Sequence, residues 1–222
     1  NPKKVLEYYD KGETYYEQGE YMKAIEMYDK ALMIDNGFDA GISKRAKAWN
    51  EYSLIRKGMS NSTFVEYNMI AINASVDLPF WRMVSYKDPI PFSSKYETPF
   101  MTIFLRDNTY YPSMLMVLLT PRGDESIYQM IEDSDKELNL IIFQQKTKIL
   151  IKNETSINGR DAIIFEATYI GFGKNEEAVK LKSKEAYIKC GKNVFMFAAA
   201  APVDEYPSLE DTFMHVINSI KC

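Results

Sequence analysis

The stretch Tyr8-Tyr9-Asp10-Lys11-Gly12-Glu13-Thr14-Tyr15-Tyr16-Glu17-Gln18-Gly19-Glu20-Tyr21-Met22-Lys23-Ala24-Ile25-Glu26-Met27-Tyr28-Asp29-Lys30-Ala31-Leu32 decides how the first quarter of this chain folds. Tyr8, Tyr15, Ala24, Ile25, Tyr28, Ala31 and Leu32 recur at three- and four-residue steps, the stripe of an amphipathic helical hairpin. Gln18-Gly19-Glu20 interrupts the stripe, and Gly19 can take the left-handed conformation that ends a helix. A second helix is expected from about Tyr21 to Ile34, where Asp35-Asn36-Gly37 stops it. A third is expected from about Asp39 to Arg56, carrying Ile42, Ala46, Trp49, Tyr52 and Leu54. Gly12, Ala24 and Ala31 fall where helices would cross closely. A larger side chain there would cost about 1–3 kcal/mol in overpacking.

The string Gly12, Tyr15, Gly19, Tyr21, Ala24, Tyr28, Ala31 resembles the tetratricopeptide repeat, a two-helix unit of about 34 residues. Tyr8 stands where the repeat usually has Trp, and Asn36 where it often has Pro. A next unit begins near Asp39, with Ala46 at the small position and Trp49 at the aromatic one, but no second helix follows Arg56-Lys57-Gly58. One full repeat plus a capping helix is therefore expected. Such repeats bury their faces by stacking, and about three are usually needed. The hairpin must then lean on the rest of the chain, pair with another chain as in a homodimer through the helical module, or continue earlier repeats. The resemblance implies a concave groove lined by the first helix of each unit, with Tyr9, Glu13 and Tyr16 facing it, joined by Lys47, Asn50 and Glu51. The family's clamp for a peptide carboxylate needs Lys and Asn on the first helix, and Tyr9 and Glu13 depart from it. The tyrosines suit a protein contact, since aromatics are enriched at binding hot spots.

Residues 57–64 have linker composition, and beyond them the period becomes alternating. This places a helical module at 1–57 and a second domain at 64–222. Strands are expected at 101–105, 114–119, 147–157, 161–169, 178–188 and 194–200, with a polar helix near 125–138. Asn158-Gly159 is a hairpin signal, and Gly191-Lys192-Asn193 turns the next pair. Ser208 is placed to cap a final helix with Phe213, Val216, Ile217 and Ile220 on its apolar face. The fold class is α+β: an all-α hairpin with a capping helix, then an antiparallel sheet flanked by helices. Val76-Asp77-Leu78-Pro79-Phe80-Trp81, Ile157-Asn158-Gly159-Arg160, the stretch from Phe195 to Ala201, and Tyr206 through Phe213 make residues 64–222 resemble the PsbP-like fold. That resemblance implies non-catalytic binding or assembly work without carrying over any one function.

The chain has 222 residues, 46% of them apolar and 26% charged, ordinary globular material with room for one or two domains. A net charge of -4 argues against a nucleic-acid partner, which needs a basic face. No stretch approaches the ~20 apolar residues of a membrane span. Asn1-Pro2-Lys3-Lys4 is not a signal peptide, and a trimmed or mature chain is expected. Without a visible signal the expected compartment is the cytoplasm; a signal already removed would make it extracytoplasmic. Cys190 and Cys222 read as free thiols, in keeping with a reducing compartment. His215 has no nucleophile signature around it and reads as a rim histidine. Gly171-Phe172-Gly173-Lys174 reads as a turn, and Arg160 as an anchor for its hairpin. Glu132 and Asp135 share a helix face and are the best metal candidates, though a real site needs more oxygens. Trp81 and Tyr86 suit a pocket or a core. No cofactor and no catalytic residue is expected. The expected function is a non-enzymatic interaction or assembly protein with a protein or peptide partner. The alternative is a domain that binds a small ligand or a divalent metal.

Overall fold

In the computed structural model, residues 1–35, 37–59, 62–69, 74–84, 100–106, 114–121, 148–172, 177–191 and 193–222 are described. Three helices open the chain: α1 (Pro2–Glu17), α2 (Tyr21–Ile34) and α3 (Asp39–Met59). Gly19 has φ 75°, so the left-handed residue that closes α1 is the one its sequence offers. Gly12 packs directly on α2: a Cβ built there would lie 2.4 Å from Cε1 of Tyr28, whose ring is fully buried. The small residue sets how closely α1 and α2 approach. Helix α3 runs three residues past its expected end and takes up part of the linker.

Strands β1 (Phe64–Met69) and β2 (Ala74–Pro79) form an antiparallel pair of their own. Seven more strands follow: β3 (Arg82–Val84), β4 (Phe100–Leu105), β5 (Met114–Pro121), β6 (Lys148–Ile157), β7 (Arg160–Phe172), β8 (Ala178–Cys190) and β9 (Asn193–Pro202). They make one antiparallel sheet in the order β3-β4-β5-β9-β8-β7-β6. Helix α4 (Tyr206–Ser219) closes the fold. All six strands expected from the sequence are present, each within three residues of its expected bounds. Asn158 (φ 50°) and Gly159 (φ 76°) supply the two consecutive positive φ angles that a tight β6–β7 turn requires. β2 overlaps the Val76–Trp81 stretch of the PsbP-like resemblance, and β1 and β3 go beyond the expected set. β1 alternates buried Val65 and Tyr67 with exposed Glu66 and Asn68, whereas β3 is too short to carry a period. The expected polar helix, with Glu132 and Asp135, and Tyr86 lie outside the described residues. Among the described residues no helix is long and apolar enough to cross a membrane.

Two expectations are corrected. Ser208 does not cap α4: the helix starts at Tyr206 with Pro207 in its first turn, and Ser208 Oγ donates back to the Glu205 carbonyl at 2.7 Å. Proline lacks the N–H that would otherwise need a partner, so this terminus begins without a side-chain cap. Cys190 and Cys222 are not free thiols but a disulfide, with Cα atoms 5.5 Å apart. Cys190 ends β8, and Cys222 lies just past α4, so only the packing of α4 brings the two together.

The core is continuous from the helices into the sheet. Ala24, Ile25, Tyr28, Ala46 and Trp49 belong to the same buried cluster as Val65, Tyr67, Phe195, Phe197 and Phe213. Trp49 is the pivot. Its indole N–H donates to the Trp81 carbonyl at 2.8 Å, and its ring meets Tyr67 edge-on at 5.3 Å between centroids. Beside it, the carboxylate of Asp29 on α2 accepts from Arg45 of α3 at 3.4 Å and from the Tyr67 hydroxyl at 3.3 Å, all three residues being buried. Burial pushes the Asp29 carboxyl up to about 6, an effect that Arg45 and Tyr67 only partly offset. Tyr67 of β1 thus packs against both α2 and α3, through Asp29 and Trp49. On that side the helices lean on the sheet of their own chain.

Candidate interaction surface

The groove residues expected from the sequence sit on α1 and α3, and the structure sorts them into distinct roles. Tyr9 is a packing residue. Half-buried, its ring lies 5.9 Å from that of Tyr28 and meets Phe38 edge-on at 5.2 Å. Glu13 bridges two helices, accepting from the Tyr28 hydroxyl and from Lys44 on α3. Burial by itself would raise its pKa, but the hydrogen bonds from Lys44 and Tyr28 win and hold it below the usual carboxylate range. The Tyr28 hydroxyl is driven well up by its burial and by that carboxylate, so it stays a donor. Tyr16 lies edge-on to Tyr21 at 5.3 Å and carries two cations over its ring: Lys44 at 5.6 Å and Lys47 at 5.2 Å. Ammonium groups at such range are drawn to the negative face of the ring.

Asn50 has a structural task. Its Nδ2 donates to the Met83 carbonyl at 3.2 Å, and its Oδ1 accepts the Met83 N–H at 2.9 Å. One side-chain amide thereby pairs with the edge of β3 as a neighbouring strand would, which satisfies backbone groups of the kind an edge otherwise leaves open. Between α3 and β3 lies a cleft of about 300 Å³, lined among others by Lys47, Asn50, Glu51, Leu54, Arg82 and Met83. Leu54 is 69% exposed at its rim. Two cations, Lys47 and Arg82, face one carboxylate, Glu51, in a chain whose net charge is -4. Lys47, Asn50 and Glu51 therefore come together, joined through Lys47 to Tyr16, while Tyr9 stands apart in the α1–α2 packing. Sequence reasoning missed Lys44 and Arg82. Lys44 lies one helical turn before Lys47 and was within reach of the period; Arg82 sits on a strand too short to announce itself.

A second polar cluster balances itself. Lys184 of β8 donates to Glu166 and Glu210, each at 2.9 Å, and Lys182 pairs with the other Glu166 oxygen at 2.9 Å while lying 4.3 Å from the Tyr206 ring centre. Burial would lower the Lys184 pKa, but its two carboxylate partners prevail and raise it. His215 stacks on Phe64 at 3.9 Å and sits 3.2 Å from Asp77, so it ties α4 to the β1–β2 pair. Trp81 is half-buried and meets Phe213 edge-on at 6.4 Å. Arg160 donates to the Cys222 carbonyl, so it anchors the chain past α4 as well as its own hairpin.

The family model of the tetratricopeptide repeat matches residues 5–38. No curated protein matches the chain. Among solved structures, the cyanobacterial PsbP protein CyanoP of Synechocystis sp. PCC 6803 superposes with a TM-score of 0.53 at 12% identity, over 74% of this chain and 95% of its own. Looser likenesses are to the Ran-binding protein Mog1p of Saccharomyces cerevisiae (TM-score 0.43, 10% identity, 71% of this chain and 94% of that one) and to LpqN of Mycobacterium tuberculosis, a protein involved in cell envelope biogenesis (TM-score 0.42, 16% identity, 72% and 86%). At such identities the likeness speaks for the fold alone. The repeat suggests protein–protein interaction. Residues 5–38 thus match the tetratricopeptide repeat, and the antiparallel sheet that follows is similar in fold to the cyanobacterial PsbP protein.

Proposed function

We propose that this protein is a non-enzymatic interaction or assembly factor that holds a segment of a partner protein along the face shared by α1 and α3. The observation that carries this reading is the cleft where Lys47, Asn50 and Glu51 of α3 meet Arg82 and Met83 of the sheet domain. Two modules contribute to one concavity, with an exposed leucine at its rim and cations at its mouth, as suits an apolar anchor flanked by polar contacts. Asn50 is locked in place by its bonds to Met83, so the cleft is formed before any partner arrives and little ordering cost remains. The residues proposed to touch the partner are Tyr16, Lys47, Glu51 and Arg82, with Glu13 and Asn50 holding the shape and Tyr9 supporting the hairpin.

The test uses the full chain, because the core runs through the junction between the modules. Wild-type protein and the variant carrying Lys47→Glu with Arg82→Glu are immobilised and exposed to a phage-displayed peptide library. Both positions are exposed, so the melting temperature should be unchanged. Enrichment of a shared motif on the wild type that the variant fails to retain supports the reading. Identical enrichment on both proteins would remove the cleft from the function.

A further inference from the structure

Residues 220–222 form a strap that runs from α4 across three strand pairs. Ile220, buried to 1% exposure, is its root. Lys221 pairs with Ser75 of β2 through two backbone hydrogen bonds of 2.8 and 2.9 Å, which extends the β1–β2 sheet by one residue. Asn158, in the β6–β7 turn, donates to the Ile220 carbonyl at 2.6 Å and to the Asn218 carbonyl at 3.0 Å. Arg160 of β7 donates to the Cys222 carbonyl. Finally, Cys222 is bonded to Cys190 at the end of β8. Just before the strap, Ser219 Oγ accepts the Asp77 N–H at 2.8 Å.

Past Ile220 the strap has no buried apolar side chain: Lys221 is exposed and Cys222 is half-buried. A few hydrogen bonds, each of modest net worth in water, oppose the entropy lost in ordering that backbone. Only the covalent link tips the balance firmly toward the seated state. Cys190 and Cys222 are both half-buried rather than sealed in the core, so a small thiol can reach them.

We propose that the Cys190–Cys222 bond is a redox latch: formed in an oxidising compartment, it seats residues 221–222 against β2, and its reduction releases them while the seven-stranded sheet stays folded. Reduction follows the ordinary exchange path. A thiolate of a small dithiol attacks one sulfur, the other protein sulfur leaves as a thiol, and the second reductant thiol closes the reductant's own disulfide. Two electrons pass to the protein, which gains two thiols. A disulfide of this kind persists in secreted, periplasmic or surface proteins and is kept reduced in the cytosol. The latch therefore places the working protein outside the reducing compartment that free thiols would have suggested.

Two measurements test this. In source cells, free thiols are blocked with N-ethylmaleimide before lysis, and disulfides are then reduced and labelled with a second mass tag. Both cysteines should carry the second tag; the first tag on both would overturn the compartment assignment. On the purified full chain, hydrogen exchange is read with and without dithiothreitol, and on the Cys190→Ser, Cys222→Ser double variant. Loss of protection at the Ser75 and Lys221 amides, with Phe195 and Phe197 still protected, is the expected result. Unchanged exchange at Ser75 and Lys221 would overturn the latch, as would loss of protection throughout the sheet, which would mark the bond as a staple for the whole fold. Reduction of the wild type supplies the same comparison should the double variant not fold.

Discussion

Replacing Gly12 by Ala tests the helical packing most sharply, because two effects of opposite sign compete and geometry decides between them. In an open helix the change stabilises by about 1 kcal/mol, since alanine loses less backbone freedom. Here the new Cβ would stand 2.4 Å from Cε1 and 2.7 Å from Cδ1 of Tyr28. The ring cannot swing aside cheaply: it is fully buried, its hydroxyl is held by Glu13, and Tyr9 packs beside it. The helices must then part, or Tyr28 must give up its hydrogen bond. Overpacking of this kind costs about 1–3 kcal/mol. After the propensity gain the net expectation is a loss of up to about 2 kcal/mol. Gly58→Ala is the control. That glycine lies near the end of α3 with nothing within 4 Å of where an added methyl would stand, so its change should fall between neutral and a gain of about 0.5 kcal/mol. Urea titration of both variants, read as a shift of midpoint at constant slope, gives the numbers. A Gly12→Ala protein more stable than the wild type by about 1 kcal/mol, the full gain of an open helix, would refute the close-crossing argument.

Two further outcomes follow from the junction between the modules. The Asp29 carboxyl, pushed up to about 6 by burial, binds a proton more tightly in the folded state than in the unfolded chain. Its contribution to stability should therefore fall as pH rises from about 4 to about 6 and then level off, by an amount on the order of 3 kcal/mol. Urea unfolding between pH 4 and pH 7 measures this slope, and Asp29→Asn should flatten it; an unchanged slope in the variant would assign it to other groups. Asn50→Ala removes both bonds to the Met83 backbone and leaves the edge of β3 unpartnered there, so a loss of about 1–3 kcal/mol is expected by urea titration, against none for Glu51→Ala on the open wall of the cleft.

The helical hairpin was legible in the sequence because its determinants are local. The three- and four-residue period, Gly19 at the break and Gly12 opposite Tyr28 all act within some 20 residues, where chain geometry fixes who meets whom. The Asn158-Gly159 turn and the long strands it joins were legible for the same reason. Part of the cleft wall was also there to be read: Lys47, Asn50 and Glu51 fall on one side of α3 by period alone. The tertiary structure decided the rest. Arg82 and Met83 reach the cleft from a three-residue strand that no period could reveal, and Asn50 turns out to serve that strand's edge. Asp29, Arg45 and Tyr67 come from three elements, and a buried carboxylate looks in sequence like any solvated one. Cys190 and Cys222 read as separate thiols because only the docking of α4 on the sheet brings them together. Local order follows from residues near in the chain. Which polar groups are buried together, and which surfaces meet to form a cleft, depends on contacts between residues far apart in it, and those exist only once the core has closed.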